Sequence, residues 1–224
     1  MISVEQAAAY ATKTRDILVA SQGIIEHSHF VYDSGQHGSG WIDKDVVNEH
    51  TDREDGLCTM LAEVVRDLGA AVVCGPATGG LIVSQWTAHA LGVLSVFAEH
   101  GEQAAEAPGG PPRGPFILRR GYDKVVSGKR VVVVDDVINT GLAIEQTVAA
   151  VQQSGGQVAG AAAIVTRGNA SAADCGVSDL RSLLEYEIPS WPAATCPLCK
   201  AGVPINTQYA HGAEFLAAQG RAPA

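Results

Sequence analysis

Residues 131–144 read VVVVDDVINTGLAI, so an apolar run leads into two adjacent acids, a polar turn and a new apolar pattern. Four consecutive valines are typical of a strand that is buried on both faces of a parallel sheet. Because successive side chains of a strand point to opposite faces, Asp135 and Asp136 diverge, and one can reach a ligand diol or a metal while the other is held by the surrounding structure. The turn at 139–141 then presents backbone N–H groups and a hydroxyl to a phosphate at the start of the next helix.

Two interpretations of this stretch remain open. The first is a sugar-phosphate site at the C-terminal end of the strand, which the acids and the turn together favour. The second is an ordinary strand–turn–helix in which Asp136 caps the helix. A Walker-type phosphate loop is poorly supported, because no Gly-Lys-Ser/Thr follows the strand. We expect the sugar-phosphate site.

Helical and strand patterns alternate along the rest of the chain. Apolar residues at helical spacing predict helices over 3–21, 56–68, 81–91 and 144–154. Short apolar runs predict strands over 71–74, 93–98, 130–134 and 158–166. Buried strands separated by helices predict an α/β fold with a mostly parallel central sheet flanked by helices.

One stretch, residues 99–115, departs from this alternation. It reads EHGEQAAEAPGGPPRGP and has no apolar period. Loops of this length are usually lids, binding loops or disordered segments. We expect a mobile loop that closes over a ligand, and the alternative is a tolerated surface insertion.

Composition and charge exclude several classes of function. The chain has 224 residues, which is enough for one domain with a sizeable core. Its 15 Lys and Arg against 24 Asp and Glu give a net charge of −9, which disfavours binding to the phosphates of nucleic acids. We therefore expect no nucleic-acid partner. The apolar runs are shorter than the roughly 20 residues that a bilayer requires, so no membrane association is expected. Five cysteines without regular disulfide spacing favour the cytoplasm.

Four segments carry a resemblance to a known family. The stretch DDVINTGLAI resembles the phosphoribosyl-diphosphate signature of type I phosphoribosyltransferases, and especially that of the orotate branch. Residues 30–45 are similar to the Ser-Gly-containing hood segment of the family, and residues 75–80 (GPATGG) resemble its Gly-Pro-Ala loop. Arg167 matches the place of the orotate-contacting arginine. The resemblance implies the type I fold, in a single domain over 1–224 with a small hood from about 1–50 and the C-terminal segment.

The same resemblance implies an activity and a set of site residues. The activity is transfer of a phosphoribosyl group from 5-phosphoribosyl 1-diphosphate (PRPP) to orotate, with Mg²⁺ as cofactor and a homodimer as the assembly. The implied PRPP-binding residues are Asn139, Thr140, Gly141, Leu142, Ala143, Ala77, Thr78, Gly79, Gly80 and Lys44. The implied base-binding residues are Arg167, Thr140 and Trp41. The implied catalytic residues are Asp135, Asp136, His100 and Arg113, of which the two aspartates address the ribose hydroxyls and Mg²⁺, partly through water.

The sequence also departs from the family. Many orotate enzymes carry basic residues at places that here hold Gly79, Asp33 and His100. The side chains that could restore positive charge for the leaving group are Lys44, His100, Arg113, Arg119 and Arg120. For Arg119 and Arg120 a solvated turn near a sheet edge is the alternative. Because fewer basic residues are available for the leaving group, two other functions stay open. They are transfer to a different heterocycle and a non-catalytic nucleotide sensor.

Cysteine and histidine clusters suggest further chemistry. Cys196 and Cys199 form one CxxC pair, and the nearest further ligand is His211, twelve residues on, with no fourth ligand nearby, so zinc binding is left open. His27, His29 and His37 lie in a segment where solvation is expected, although one could contact the base. Trp41 could stack on a flat heterocycle, and partial burial in a packing role is the more frequent use of tryptophan.

Overall fold

A computed structural model describes residues 2–32, 34–101, 114–168 and 170–220 of the chain. The helices, in chain order, are α1 (Val4–Ala20), α2 (Asp45–Asn48), α3 (Thr51–Val65), α4 (Gly79–Leu91), α5 (Tyr122–Val126), α6 (Leu142–Gln153), α7 (Pro197–Lys200) and α8 (Gly212–Ala218). Short 3₁₀ turns cover Arg66–Leu68 and Ala193–Thr195. Among the described residues, none of the helices combines the length and the apolar character needed to cross a membrane.

The strands form one large sheet and two small ones. In chain order they are β1 (Ile24–Ile25), β2 (Phe30–Val31), β3 (Gln36–Gly38), β4 (Trp41–Ile42), β5 (Val72–Pro76), β6 (Leu94–His100), β7 (Phe116–Ile117), β8 (Arg130–Ile138), β9 (Gln157–Arg167), β10 (Leu180–Tyr186) and β11 (Ser190–Pro192). The described chain divides into two compact units, Met1–Asp16 with Asn48–Tyr186 and Ile17–Val47 with Glu187–Ala224.

The first unit contains the predicted α/β sheet. Its strand order is β10-β9-β8-β5-β6-β7, and its pairings are parallel except for the antiparallel pair of β6 and β7. Along β8, Val131 and Val133 pack in the two core clusters that include residues of α6, while Val132 and Val134, on the opposite face, are equally buried. The apolar valine run is therefore explained by burial on both faces of a central strand.

The structure corrects several predicted boundaries. Strand β8 does not end before the acids but continues to Ile138, because β9 goes on pairing with it beyond Asp135. Helix α3 begins at Thr51 rather than at residue 56, since its polar first turn carries little apolar signal. Strand β6 extends to His100, so the first two residues of the predicted 99–115 loop lie in a strand. The edge strands β7 and β10 were not predicted.

The second unit is built from two stretches that are far apart in sequence. Strands β2, β3 and β11 form an antiparallel sheet in the order β11-β3-β2, and β1 pairs with β4. His29 and His37 are 1% and 0% exposed, so the expectation that they are solvated is wrong for both. His27 is exposed, as expected. The assignment of a hood to about 1–50 and the C-terminal segment stays a prediction.

Candidate active site at the carboxyl edge of the sheet

The turn between β8 and α6 depends on a glycine. Gly141 has a φ of +84°, a left-handed conformation that side-chain-bearing residues rarely adopt. A Cβ atom at this position would also lie 3.0 Å from Cys175 Sγ and 3.1 Å from the carbonyl oxygen of Asp174. Only glycine therefore lets the chain turn here and start α6 immediately afterwards.

This turn lines a small open cavity. Its volume is about 140 Å³, several times the roughly 30 Å³ that a water molecule occupies in the liquid. Its lining residues are Asp135, Val137, Ile138, Asn139, Thr140, Gly141, Leu142, Ala143 and Ile144. The first N–H groups of a helix have no partner within the helix, and α6 begins at this wall of the cavity. The cavity suits an anion such as a phosphate.

The two acids lie at the base of this turn. Asp135 and Asp136 are 8% and 9% exposed, and Asp135 Oδ1 accepts the Asp136 N–H at 2.9 Å. Asp136 Oδ1 accepts the N–H of Val137 at 2.5 Å. The alternative in which Asp136 caps α6 is wrong, because the helix starts six residues later, with Gly141 at its N-cap. Each carboxylate is instead oriented by the backbone next to it.

The Gly-Pro-Ala-Thr-Gly-Gly segment packs against the first of these acids. It joins β5 to α4, and the peptide bond between Ala77 and Thr78 is cis. A Cβ atom on Gly80 would lie 2.9 Å from the carbonyl oxygen of Val134 and 3.0 Å from Asp135 Oδ1. A Cβ atom on Gly75 would overlap the backbone of Gly80. The glycines thus let the loop at 75–80 approach the acids, which lie more than 50 residues away in sequence.

Arg167 lies at the end of β9, at the same edge of the sheet. Thr166 pairs with Ile138, and a Cβ atom on Gly168 would lie 3.8 Å from the carbonyl oxygen of Asn139. The backbone around Arg167 therefore adjoins the turn that follows β8. The side chain of Arg167 is half-buried.

Two acids that follow Arg167 in the sequence, Asp174 and Asp179, have polar partners of their own. Asp174 Oδ2 accepts a hydrogen bond from the Ser171 hydroxyl at 2.6 Å, which helps to lower the pKa of Asp174. Asp179 forms an ion pair with Arg181 at 2.7 Å. The contact of Arg167 with the base stays a prediction.

His100 and the arginines near the predicted loop are held by local contacts. His100 Nδ1 lies 2.7 Å from the carbonyl oxygen of Gly114, and the His100 ring stacks on Phe116 with 4.0 Å between centroids. Arg119 and Arg120 both pair with Glu99, at 3.9 Å and 3.2 Å. Their positive charge is therefore partly offset by a neighbouring carboxylate. Arg113, Asp33 and most of the predicted 99–115 loop lie outside the described residues.

Two further predicted site residues belong to the second unit. Trp41 lies in β4, and its ring is 6.4 Å from that of Tyr32 and 6.2 Å from that of Phe30, centroid to centroid. These contacts fit the packing role that was the alternative to base stacking. Lys44 immediately precedes α2. The roles of both residues toward a ligand stay predictions.

A buried carboxyl group in α3 was missed by the sequence analysis. Glu54 is 3% exposed, and its Oε1 accepts a hydrogen bond from Cys58 Sγ at 3.3 Å. Burial raises the pKa of Glu54, the Cys58 hydrogen bond acts in the opposite direction, and the negative charge of Asp136 raises the pKa further. The negative charges of Glu54 and Asp136 therefore act on each other. Its phase with Leu57 and Leu61, at i+3 and i+7, could have indicated burial.

The raised pKa of Glu54 predicts a pH-dependent stability. An acid whose folded pKa lies above its unfolded pKa destabilises the fold as pH rises from the ordinary value near 4.5 through the raised one. Glu54→Gln should therefore match the parent at low pH and exceed it at neutral pH by about 1 kcal/mol, or about 2–4 °C in melting temperature. Melting curves across this range check the prediction, with the exposed neighbour in Asp55→Asn as control. Equal pH dependence of the Glu54→Gln variant and the parent would contradict it.

Comparison with known proteins shows the family to which the chain belongs. Residues 44–193 match the family model of the phosphoribosyl transferase domain. This match covers more than half of the chain, and the chain belongs to the phosphoribosyltransferase family, with its type I fold.

Relatives at 40% identity are named orotate phosphoribosyltransferases. The chain is 40% identical over 194 residues to the orotate phosphoribosyltransferase of Pelotomaculum thermopropionicum, covering 85% of this chain and 95% of that protein. A crystal structure of orotate phosphoribosyltransferase from Aeropyrum pernix is similar with a TM-score of 0.59 at 25% identity, covering 84% of this chain and 97% of that one. The crystal structure of Mycobacterium tuberculosis H37Rv orotate phosphoribosyltransferase in complex with PRPP is similar with a TM-score of 0.54 at 22% identity. The match covers 77% of this chain and 95% of that one.

Proposed function

We propose that this protein transfers the phosphoribosyl group of PRPP to orotate, releasing diphosphate and forming orotidine 5′-monophosphate. The observation that carries this proposal is the 40% identity to an orotate phosphoribosyltransferase over 85% of this chain and 95% of that protein. The fold alone does not select a base, since one fold hosts several substrates. The M. tuberculosis relative in complex with PRPP supports the choice of phosphoribosyl donor.

The cavity after β8 supports a binding site for the 5-phosphate. In this proposal the amides of residues 139–143 and the Thr140 hydroxyl bind the phosphate, at the positive end of α6. The loop at 75–80 binds the diphosphate through backbone N–H groups, which glycines leave accessible. Both segments adjoin Asp135, so sugar, phosphate and diphosphate would share one edge of the sheet.

The acid pair is suited to the ribose and to Mg²⁺. Asp135 and Asp136 offer hard carboxylate oxygens, and Mg²⁺ in such sites usually keeps several waters and uses substrate oxygens as ligands. When bound, Mg²⁺ would supply positive charge to the departing diphosphate. The carboxylates would orient the ribose hydroxyls, since each is held in place by a backbone N–H.

The reaction needs positioning more than a covalent intermediate. The bond from the anomeric carbon to the diphosphate oxygen breaks and positive charge develops on the sugar. A ring nitrogen of orotate forms the new bond and gives up its proton to the solvent or to the departing diphosphate. Fixed charges and aligned reactants supply most of such an acceleration. Arg167 would bind the orotate carboxylate through its planar guanidinium group. His100 and Arg113, with Lys44, remain the candidates to cover the leaving group.

The assembly is inferred from the family resemblance, and the location from the cysteines. We infer a homodimer, in which loop residues of one subunit would complete the partner's site. The cytoplasm fits five cysteines that are all thiols in the structure. Formation of orotidine 5′-monophosphate from orotate and PRPP, dependent on added Mg²⁺, tests the proposed function. A protein that binds PRPP without turnover of any base would favour the nucleotide sensor instead.

A further inference from the structure

Four metal-binding side chains converge in the second unit. His29 immediately precedes β2 and His37 lies in β3. Cys196 immediately precedes α7, and Cys199 lies within it. One ligand atom from each of the four lies within 4.8 Å of all the others. His29, His37 and Cys196 are buried and Cys199 is exposed. The two histidines therefore supply the ligands that the CxxC pair lacked in sequence, and His211 is not part of the group.

The distances among these atoms fit one small tetrahedral ion. Cys196 Sγ and Cys199 Sγ each lie 3.7 Å from His29 Nε2, and Cys199 Sγ lies 3.3 Å from His37 Nδ1. Zinc bonds of about 2.0–2.1 Å to nitrogen and about 2.3 Å to sulfur give tetrahedral ligand separations of about 3.3–3.8 Å. The two nitrogens, 2.8 Å apart, would separate by only about half an ångström to reach this range.

A backbone carbonyl orients the first histidine as a metal ligand. His29 Nδ1 lies 2.8 Å from the carbonyl oxygen of Val203. A carbonyl oxygen only accepts, so Nδ1 carries the proton and the lone pair of Nε2 faces the two cysteines. Metal-bound histidines usually donate their other ring N–H in this way. The carbonyl belongs to the segment just after α7, which ties the histidine to the cysteine-bearing turn.

The backbone around the two cysteines forms a tight turn of the kind seen in C-x₂-C metal sites. Cys196 and Cys199 are separated by two residues, and Pro197 opens the short helix between them. The N–H of Lys200 bonds the Cys196 carbonyl at 3.2 Å, and the N–H of Gly202 bonds that of Cys199 at 3.1 Å. This tight turn brings both sulfurs to one side. The C-x₂-C spacing is that of structural zinc sites.

Two other interpretations of the cysteine pair, a redox pair and a polar cluster without metal, do not explain the nearby histidines. A redox pair of the thioredoxin type would open a helix after a strand of a parallel sheet, and here α7 follows a 3₁₀ turn beside an antiparallel sheet. A buried polar cluster without metal would place two imidazoles and a thiol in the interior, where such groups need strong partners. Neither accounts for two histidines held against two cysteines.

We propose that His29, His37, Cys196 and Cys199 bind one Zn²⁺ in a closed, structural Cys₂His₂ site. Four protein ligands leave no open position for substrate, which separates this site from catalysis. The ion would join the β2–β3 hairpin to a turn almost 160 residues later, between residues 37 and 196. Small units with little core often depend on such a cross-link. The proposal does not depend on the identity of the transferred base.

Metal analysis of the full chain, purified without a polyhistidine tag, tests the proposal. We expect one zinc per chain in the parent protein, and loss of most of it in Cys199→Ser and His37→Asn. The matched controls, Cys74→Ala and His27→Asn, remove a thiol and an exposed imidazole elsewhere and should keep the zinc. Absence of stoichiometric zinc from the parent, or its retention in both site variants, would overturn the proposal.

Two measurements on the parent protein do not depend on how the variants fold. Replacement of zinc by Co²⁺ should produce thiolate-to-cobalt charge-transfer absorption and the visible bands of a tetrahedral ion. The exposed thiol of Cys199 should react slowly with iodoacetamide until a strong chelator is added. A cobalt spectrum without thiolate bands, or rapid alkylation of Cys199 in the zinc-loaded protein, would overturn the assignment. Either result would leave the proposed transferase activity untouched.

Discussion

Replacing Asp135 and Asp136 together by asparagine will reduce turnover of PRPP by at least about 10³-fold while leaving the fold intact. The loss follows because amides bind Mg²⁺ poorly and remove two negative charges from the ribose site. The fold is expected to survive because asparagine keeps the Oδ1 atom that accepts the backbone N–H in each of the two observed hydrogen bonds. Steady-state kinetics and melting temperature on the same preparation measure both effects.

A control at an exposed carboxylate outside the site separates this effect from the general loss of negative charge. Asp123→Asn removes an exposed carboxylate from α5 and should leave turnover unchanged. Turnover by the double variant near the parent rate would show that the acids serve only the packing of the sheet edge. Unfolding of the double variant would contradict the part of the prediction that concerns the two hydrogen bonds.

Arg167→Ala will weaken the use of orotate by about 2–4 kcal/mol of transition-state binding, or about 30- to 1000-fold in kcat/KM. Orotate carries a carboxylate, and a site that encloses a carboxylate needs a fixed cation or several donors. Affinity for PRPP should change little, because the cavity after β8 is lined by other residues. Kinetics with orotate and direct binding of PRPP are the two measurements.

Two further variants give the Arg167 prediction its controls. Arg167→Lys keeps the charge without the planar fork, so it should recover only part of the loss. Arg66→Ala removes an exposed arginine from the 3₁₀ turn after α3 and should have no effect. A parallel loss of PRPP binding in Arg167→Ala would indicate collapse of the sheet edge, and unchanged kinetics would remove Arg167 from the base site.

The local part of the site could be predicted from the sequence because its signals are contiguous. The valine run, the acids and the turn at 139–141 all lie within 14 residues, and the structure places the cavity at their junction. The extension of β8 through the acids could not be predicted in the same way. The extension depends on backbone pairing with β9. The polarity of the side chains contributes little to that pairing.

The features that were missed depend on contacts between distant parts of the chain. Burial of His37 requires β11, which pairs with β3 from more than 150 residues away. No local pattern near His37 contains that information. The edge strands β7 and β10 likewise have weak patterns of their own and are defined by their neighbours.

Whether the transferred base is orotate is decided by comparing four bases, each assayed separately at one PRPP concentration. Diphosphate release would be measured with orotate, uracil, adenine and hypoxanthine in turn, with Mg²⁺ present throughout. A site built to pair the orotate carboxylate should prefer orotate by at least about 10³-fold in kcat/KM, because bases without that group leave its polar partners unpaired. A higher kcat/KM with any of the other three bases, or diphosphate release with none of the four, would contradict the account.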